Sequence, residues 1–147
     1  MIKRVAIVED TDSLAKLLTI YLSRNGHSVD VFSSYESFAA SSPSMNKYDL
    51  FLLDHDIVGG VSGSDYLRST NDIPISQRIL MSASDSWSSV DALAKLSKPF
   101  PLSDLAALVG AHVPLRSAAA ASAGSSAPLL RAYAHFTYQH PDQQKAV

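Results

Sequence analysis

Leu50-Phe51-Leu52-Leu53-Asp54-His55-Asp56 is an unbroken apolar run that stops abruptly at acids, and Val5-Ala6-Ile7-Val8-Glu9-Asp10 shows the same pattern near the start of the chain. A strand that is apolar at successive positions has both faces covered, as an inner strand of a parallel sheet does. Between the two runs the period changes. Leu14, Leu17, Leu18, Tyr21 and Leu22 fall at the i, i+3, i+4, i+7, i+8 spacing of one helical face. Asp12 is placed to cap the start of that helix, and Gly26 sits where a helix would end in a left-handed residue. Strand, loop and helix therefore follow in order.

The alternation continues outward from these runs. Val29, Val31 and Phe32 predict a second strand, and Tyr35 to Ala40 a helix stopped by Ser42-Pro43. Past Asp54, Gly59-Gly60 and Gly63 mark a tight loop before a modest helix with Tyr66 and Leu67. Ile79-Leu80-Met81 gives a fourth strand after Pro74, and Ser84-Asp85-Ser86 a polar loop. A helix through Val90 and Leu93 then leads to a poorly formed fifth strand at Lys95-Leu96-Ser97, with Leu102, Leu105, Leu108 and Val109 forming a final amphipathic helix. The prediction is an α/β fold: a doubly wound (βα)5 parallel sheet, flavodoxin-like, with right-handed crossovers and strand order 2-1-3-4-5.

The chain has 147 residues, enough for one ordinary domain with a sizeable core, and we place it at residues 1–113. Residues 114–128 read as an Ala/Ser-rich linker, including SAAAASAGSSAP at 117–128. In the tail, 129–147, the spacing of Leu129, Leu130, Tyr133 and Phe136 allows a short helix. The absence of cysteine excludes disulfide frameworks, thiolate zinc sites and a cysteine nucleophile. A net charge of −2 without a clustered basic stripe argues against direct DNA binding. The first apolar run ends at Glu9, too early for a signal-peptide core or a membrane span, so a soluble, cytoplasmic protein is expected.

In an open parallel sheet, ligands bind beyond the carboxyl ends of the strands. If strand one lies beside strand three, Glu9 and Asp10 meet Asp54 in one pocket. Three converging acids repel one another unless a cation sits among them, and a hard divalent ion with oxygen ligands, Mg2+ above all, is the economical choice. Ser82, ending strand four, offers a hydroxyl to a phosphoryl oxygen, and Lys98, ending strand five, an ammonium to offset phosphoryl charge.

With these motifs in hand, residues 3 to 112 resemble the CheY-like receiver domain of two-component response regulators. The resemblance rests on Val8-Glu9-Asp10, on Leu52-Leu53-Asp54 followed by Gly59 and Gly63, on Met81-Ser82-Ala83 and on Lys98-Pro99-Phe100. It implies that Asp54 accepts a phosphoryl group from the phosphohistidine of a sensor histidine kinase or histidine phosphotransfer protein. It further implies that Glu9, Asp10, Asp54 and the backbone carbonyl of Asp56 bind Mg2+, that Ser82 and Lys98 contact the phosphoryl oxygens, and that the Lys98-Pro99 bond is cis. With no effector domain in the sequence, the implied output is contact with a downstream protein target by a stand-alone regulator. The implied chemistry is its own phosphorylation and dephosphorylation rather than turnover of a separate substrate.

The chain departs from the family pattern at two places. Val58 stands where most receivers have proline, and Lys95 stands at the usual aromatic switch position, three residues before Lys98. A charged side chain cannot swing into an apolar pocket as a ring does, so non-standard output is expected, with Lys95 itself projecting from an edge strand into solvent. Asp56 and Ser84 occupy positions that modulate phosphoryl lifetime in the family. His55 should alternate away from the site as an ordinary side chain, and Trp87 should be a local packing anchor. Two other functions are weighed beside this one: a receiver-like binding module that is never phosphorylated, and a haloacid-dehalogenase-like phosphatase suggested by Asp54-His55-Asp56. Against the latter, that motif normally follows the first strand, and no paired acids follow strand four.

Overall fold

Five strands carry the architecture in the computed structural model, which describes residues 2–41, 47–84, 87 and 89–111. They are β1 (Arg4–Val8), β2 (Ser28–Phe32), β3 (Leu50–Asp54), β4 (Arg78–Ser82) and β5 (Ala94–Ser97). All pair in parallel in the order β2-β1-β3-β4-β5. The expected doubly wound, flavodoxin-like sheet is therefore present. Val8 is level with Leu53, and Asp54 with Met81, so Glu9, Asp54 and Ser82 leave the sheet at one rim.

The unbroken apolar runs are explained by which side each residue faces. Val5, Ile7, Leu50, Leu52, Ile79 and Met81 pack on one face with Leu18 and Leu22 of α1 (Asp12–Arg24) and with Leu105, Leu108 and Val109 of α4 (Leu102–Ala111). Ala6, Val8, Phe51, Leu53 and Leu80 pack on the other with Tyr35 and Phe38 of α2 (Tyr35–Ser41) and Leu67 of α3 (Gly63–Ser69). Alternate residues thus feed two separate cores, which is what a run with no polar gap must do. The Lys3 ammonium, buried at the sheet's lower edge, donates to the Val109 carbonyl in the last turn of α4, where a cation suits the helix dipole.

Several local expectations need correcting. The α1 N-cap is Thr11 rather than Asp12, with no side-chain cap bond, and Leu17 is 40 % exposed because the buried seam runs through Ala15, Leu18 and Leu22. Gly26 does close the helix with φ 86°. The larger difference lies between β4 and β5. Residues 83, 84, 87, 89, 90 and 93 form turns and bends, and among the described residues 83, 84, 87 and 89–93 none is in the helix expected through Val90 and Leu93. Eleven residues, 83–93, link the two strands, and after departure and return they leave room for about two turns, a length at which helices are marginal. Serine and aspartate further favour local side-chain bonds over helix. Trp87 and Val90 instead reach down into the α2/α3-side core, so Trp87 is a packing anchor as expected. Residues 114–147, with the predicted linker and tail, lie outside the described residues, as do Ser42-Pro43 and Asp85-Ser86. Among the described residues no helix is long and apolar enough to cross a membrane.

Candidate functional site

Parallel pairing of β1 with β3 delivers Glu9, Asp10 and Asp54 to the same rim, and each brings one carboxylate oxygen within 4.8 Å of the others. Glu9 and Asp54 are almost fully buried, at 2 % and 1 % exposed. Two buried carboxylates so close need a cation, and β5 supplies one. The Lys98 Nζ donates to Glu9 Oε2 at 2.9 Å and to Asp54 Oδ1 at 3.0 Å. It reaches them from a cis Lys98-Pro99 peptide, as the resemblance implied. Burial pushes the Glu9 carboxyl up to about 7, with the Lys98 hydrogen bond pulling against it and the Asp54 charge adding to it. Burial alone would lower the Lys98 pKa, but the bond to Glu9 and the charge of Asp54 outweigh it and hold the ammonium above its ordinary value.

The acids are also fixed by loop amides. Thr11 N–H donates to Glu9 Oε1 at 3.2 Å, and Asp56 N–H to Asp54 Oδ1 at 3.0 Å. Val58 N–H donates to Asp10 Oδ2 at 3.1 Å, a bond that the family's usual proline could not make. The loop after β3 is thereby tied to the acid pair after β1. Three hard oxygen donors gathered at one point, with the Asp56 backbone drawn to the same rim by its amide, fit a magnesium ion by their chemistry.

Behind Asp54 stands Tyr35, a residue that the sequence pattern places only near the start of a helix. Tyr35 donates its hydroxyl to the Asp54 carbonyl at 2.6 Å, and its ring stacks on Tyr66 at a centroid distance of 4.9 Å. Burial, and then the charges of Asp54 and Glu9, push the Tyr35 hydroxyl well above the ordinary tyrosine range, so it stays a donor. Gly63 makes room for this contact. A Cβ there would fall 2.8 Å from the Tyr35 hydroxyl and 2.9 Å from the Asp54 carbonyl oxygen. That glycine was the one available signal in the sequence for a close approach.

Ser82 lies at the rim as expected, fully buried, but its hydroxyl faces Asp56. It donates to the Asp56 carboxylate at 3.1 and 3.0 Å, and Ala83 N–H donates to the same group at 2.7 Å. Ser84 N–H in turn donates to Ser82 Oγ at 3.0 Å, with the two hydroxyls 3.2 Å apart. Asp56 therefore takes part through its side chain, where the sequence reading had weighed its carbonyl and its effect on water. Lys95 does not simply project into solvent: its ammonium donates to the Trp87 carbonyl at 3.2 Å, tying β5 to the segment that precedes it. His55 points away from the acids and pairs through Nδ1 with Ser64 Oγ at 2.8 Å.

No family model matches the sequence, and no curated protein matches it. Its fold, however, is shared with many solved structures. The response regulator TrrA of Thermotoga maritima, solved in complex with Mg2+-BeF, is 25% identical over 76% of this chain and 99% of its own, with a TM-score of 0.65. A response regulator receiver domain protein of Bacillus halodurans c-125 is 25% identical over 78% of this chain and 99% of its own, with a TM-score of 0.62. A CheY-like receiver domain protein of Methanospirillum hungatei JF-1, at 19% identity, covers 75% of this chain and 92% of its own with a TM-score of 0.65. The chain therefore carries the CheY-like receiver fold of response regulators.

Proposed function

We propose that this domain is a signalling phosphoacceptor: Asp54 takes a phosphoryl group from the phosphohistidine of a sensor histidine kinase or histidine phosphotransfer protein. The observation that carries this reading is the convergence of Glu9, Asp10 and Asp54, with Lys98 bonded to two of them. Glu9, Asp10 and Asp54, with the Asp56 backbone, would hold Mg2+, which supplies neutralisation of phosphoryl charge. The chain's own residues do the rest. The Asp54 carboxylate oxygen is the nucleophile, held by the Asp56 amide at its side chain and by the Tyr35 hydroxyl at its backbone. Phosphoryl transfer asks for an in-line nucleophile and positioned positive charge, and little else. The Lys98 ammonium, already at Asp54 Oδ1, is placed to follow the charge as it moves onto the phosphoryl oxygens.

The complex of TrrA with Mg2+-BeF supports the choice of metal. On this reading the protein works in the cytoplasm, turns over no separate substrate, and acts on a downstream protein target by contact. Incubation with Mg2+ and acetyl phosphate tests it. One acid-labile, hydroxylamine-sensitive phosphoryl group should appear by intact mass and be lost in Asp54→Asn. A folded protein that takes no adduct would leave the unphosphorylated binding module as the better reading. Rapid multiple turnover of a phosphomonoester would favour the phosphatase.

A further inference from the structure

We propose that the Asp56 carboxylate is a tethered competitor, resting on the Ser82 hydroxyl and Ala83 amide that a phosphoryl group on Asp54 would need, and that phosphorylation must evict it. The inference rests on the phosphoacceptor reading and adds to it a built-in brake. Both donors at the end of β4 converge on one carboxylate, at 3.0 and 3.1 Å from Ser82 Oγ and 2.7 Å from Ala83 N. The serine hydroxyl has a single proton; its oxygen accepts the Ser84 amide at 3.0 Å, and the two oxygens of the Asp56 carboxylate, at 3.1 and 3.0 Å, lie closer to it than the Ser84 hydroxyl at 3.2 Å. Ser82 is fully buried, which leaves solvent no part in satisfying it.

A carboxylate offers two anionic oxygens on one carbon, much as a phosphoryl group offers them on phosphorus. Asp56 therefore satisfies the cradle with a charge of its own, through bonds of the charge-assisted kind. Its position is no accident of a long side chain, because the Asp56 amide is bonded to Asp54 Oδ1 at 3.0 Å and so anchors the competitor beside the acceptor. Once Asp54 carries a phosphoryl group of about two negative charges, the two anions cannot share the same donors. Asp56 must turn outward, where its half-exposed position lets water receive it. Ser82 and Ala83 then exchange one anion for another.

The test compares wild type with Asp56→Asn, which keeps the shape and removes the charge, and with Asp56→Ala, which removes the occupant. Each is incubated with Mg2+ and acetyl phosphate, and initial rates are read by intact mass. The Ala83 amide is followed by 1H–15N NMR before and after the addition of beryllofluoride. Loss of the competing charge should raise the rate of adduct formation about tenfold, the equivalent of about 1.4 kcal/mol, which is the order of the difference between a charge-assisted and a neutral hydrogen bond. The Ala83 proton should lie downfield in resting wild type, move upfield in both variants, and return downfield with beryllofluoride. A purely structural role for Asp56 would leave the rate of adduct formation unraised in both variants. Equal rates in the three chains, with an unmoved Ala83 resonance, would overturn the inference and leave the phosphoacceptor reading standing. No adduct in any of the three folded chains would overturn both.

Discussion

Replacing Tyr35 by phenylalanine removes one oxygen atom from a place where the structure offers no substitute. Tyr35 is 1 % exposed, and its hydroxyl donates to the carbonyl of the equally buried Asp54 at 2.6 Å. The phenylalanine ring keeps the stack on Tyr66, so the change is confined to the hydrogen bond. A buried carbonyl that loses its donor costs about 1–3 kcal/mol. For a folded unit of roughly 110 residues the unfolding entropy near the midpoint is about 0.23 kcal/mol per degree, so Tm should fall by about 4–13 °C. Urea denaturation should show a lower midpoint with an unchanged slope, since no surface is newly exposed. The reasoning also requires a functional mark: with the acceptor's backbone loosened, phosphorylation by acetyl phosphate should slow by several-fold while the fold persists. A variant within about 1 °C of wild type, phosphorylated at the wild-type rate, would refute the idea that this hydroxyl positions Asp54.

Other consequences can be checked in the same laboratory. Gly63→Ala would push a methyl against the Tyr35 hydroxyl and the Asp54 carbonyl, and should lower Tm by an amount like that of Tyr35→Phe, with the double variant losing less than the sum. Because burial raises Glu9 from 4.5 to about 7, the metal-free folded protein binds a proton there that the unfolded chain gives up. This contribution to stability is therefore greatest below pH 4.5 and is lost as the pH rises through about 7, a slope that Glu9→Gln should flatten in chelator-treated denaturation curves. Lys98→Ala removes a cation beside the acids, so Mg2+ affinity should stay level or improve, while phosphorylation or its output is crippled; markedly weaker Mg2+ binding in calorimetry would contradict the geometry.

How much was legible depended on whether a residue's role lies in its own chemistry or in its neighbour's. The apolar runs at residues 5–8 and 50–53 revealed the sheet because only a strand covered on both faces tolerates four successive apolar side chains, and the two cores use them alternately. Glu9, Asp10, Asp54 and Lys98 could be read from strand ends because parallel pairing sends every carboxyl end to the same rim. Tyr35 could not, since nothing in an aromatic at a helix start says that its hydroxyl will find a carbonyl 19 residues later. The side chain of Asp56 was equally hidden, as its partners come from β4 and only the folded sheet brings them there. Among the described residues between β4 and β5 the expected helix has no counterpart, because Val90 and Leu93 have an apolar spacing that a short loop satisfies as well as a helix.

The bond from Lys95 to the Trp87 carbonyl bears on how news of the site would leave it. Trp87 and Val90 are buried in the core on the α2/α3 side, and the Lys95 ammonium pins the Trp87 carbonyl to the edge strand. A tie between a buried tryptophan and an edge strand hands a displacement on as a change of contour within a few residues, so a partner reading this side must recognise a local shape.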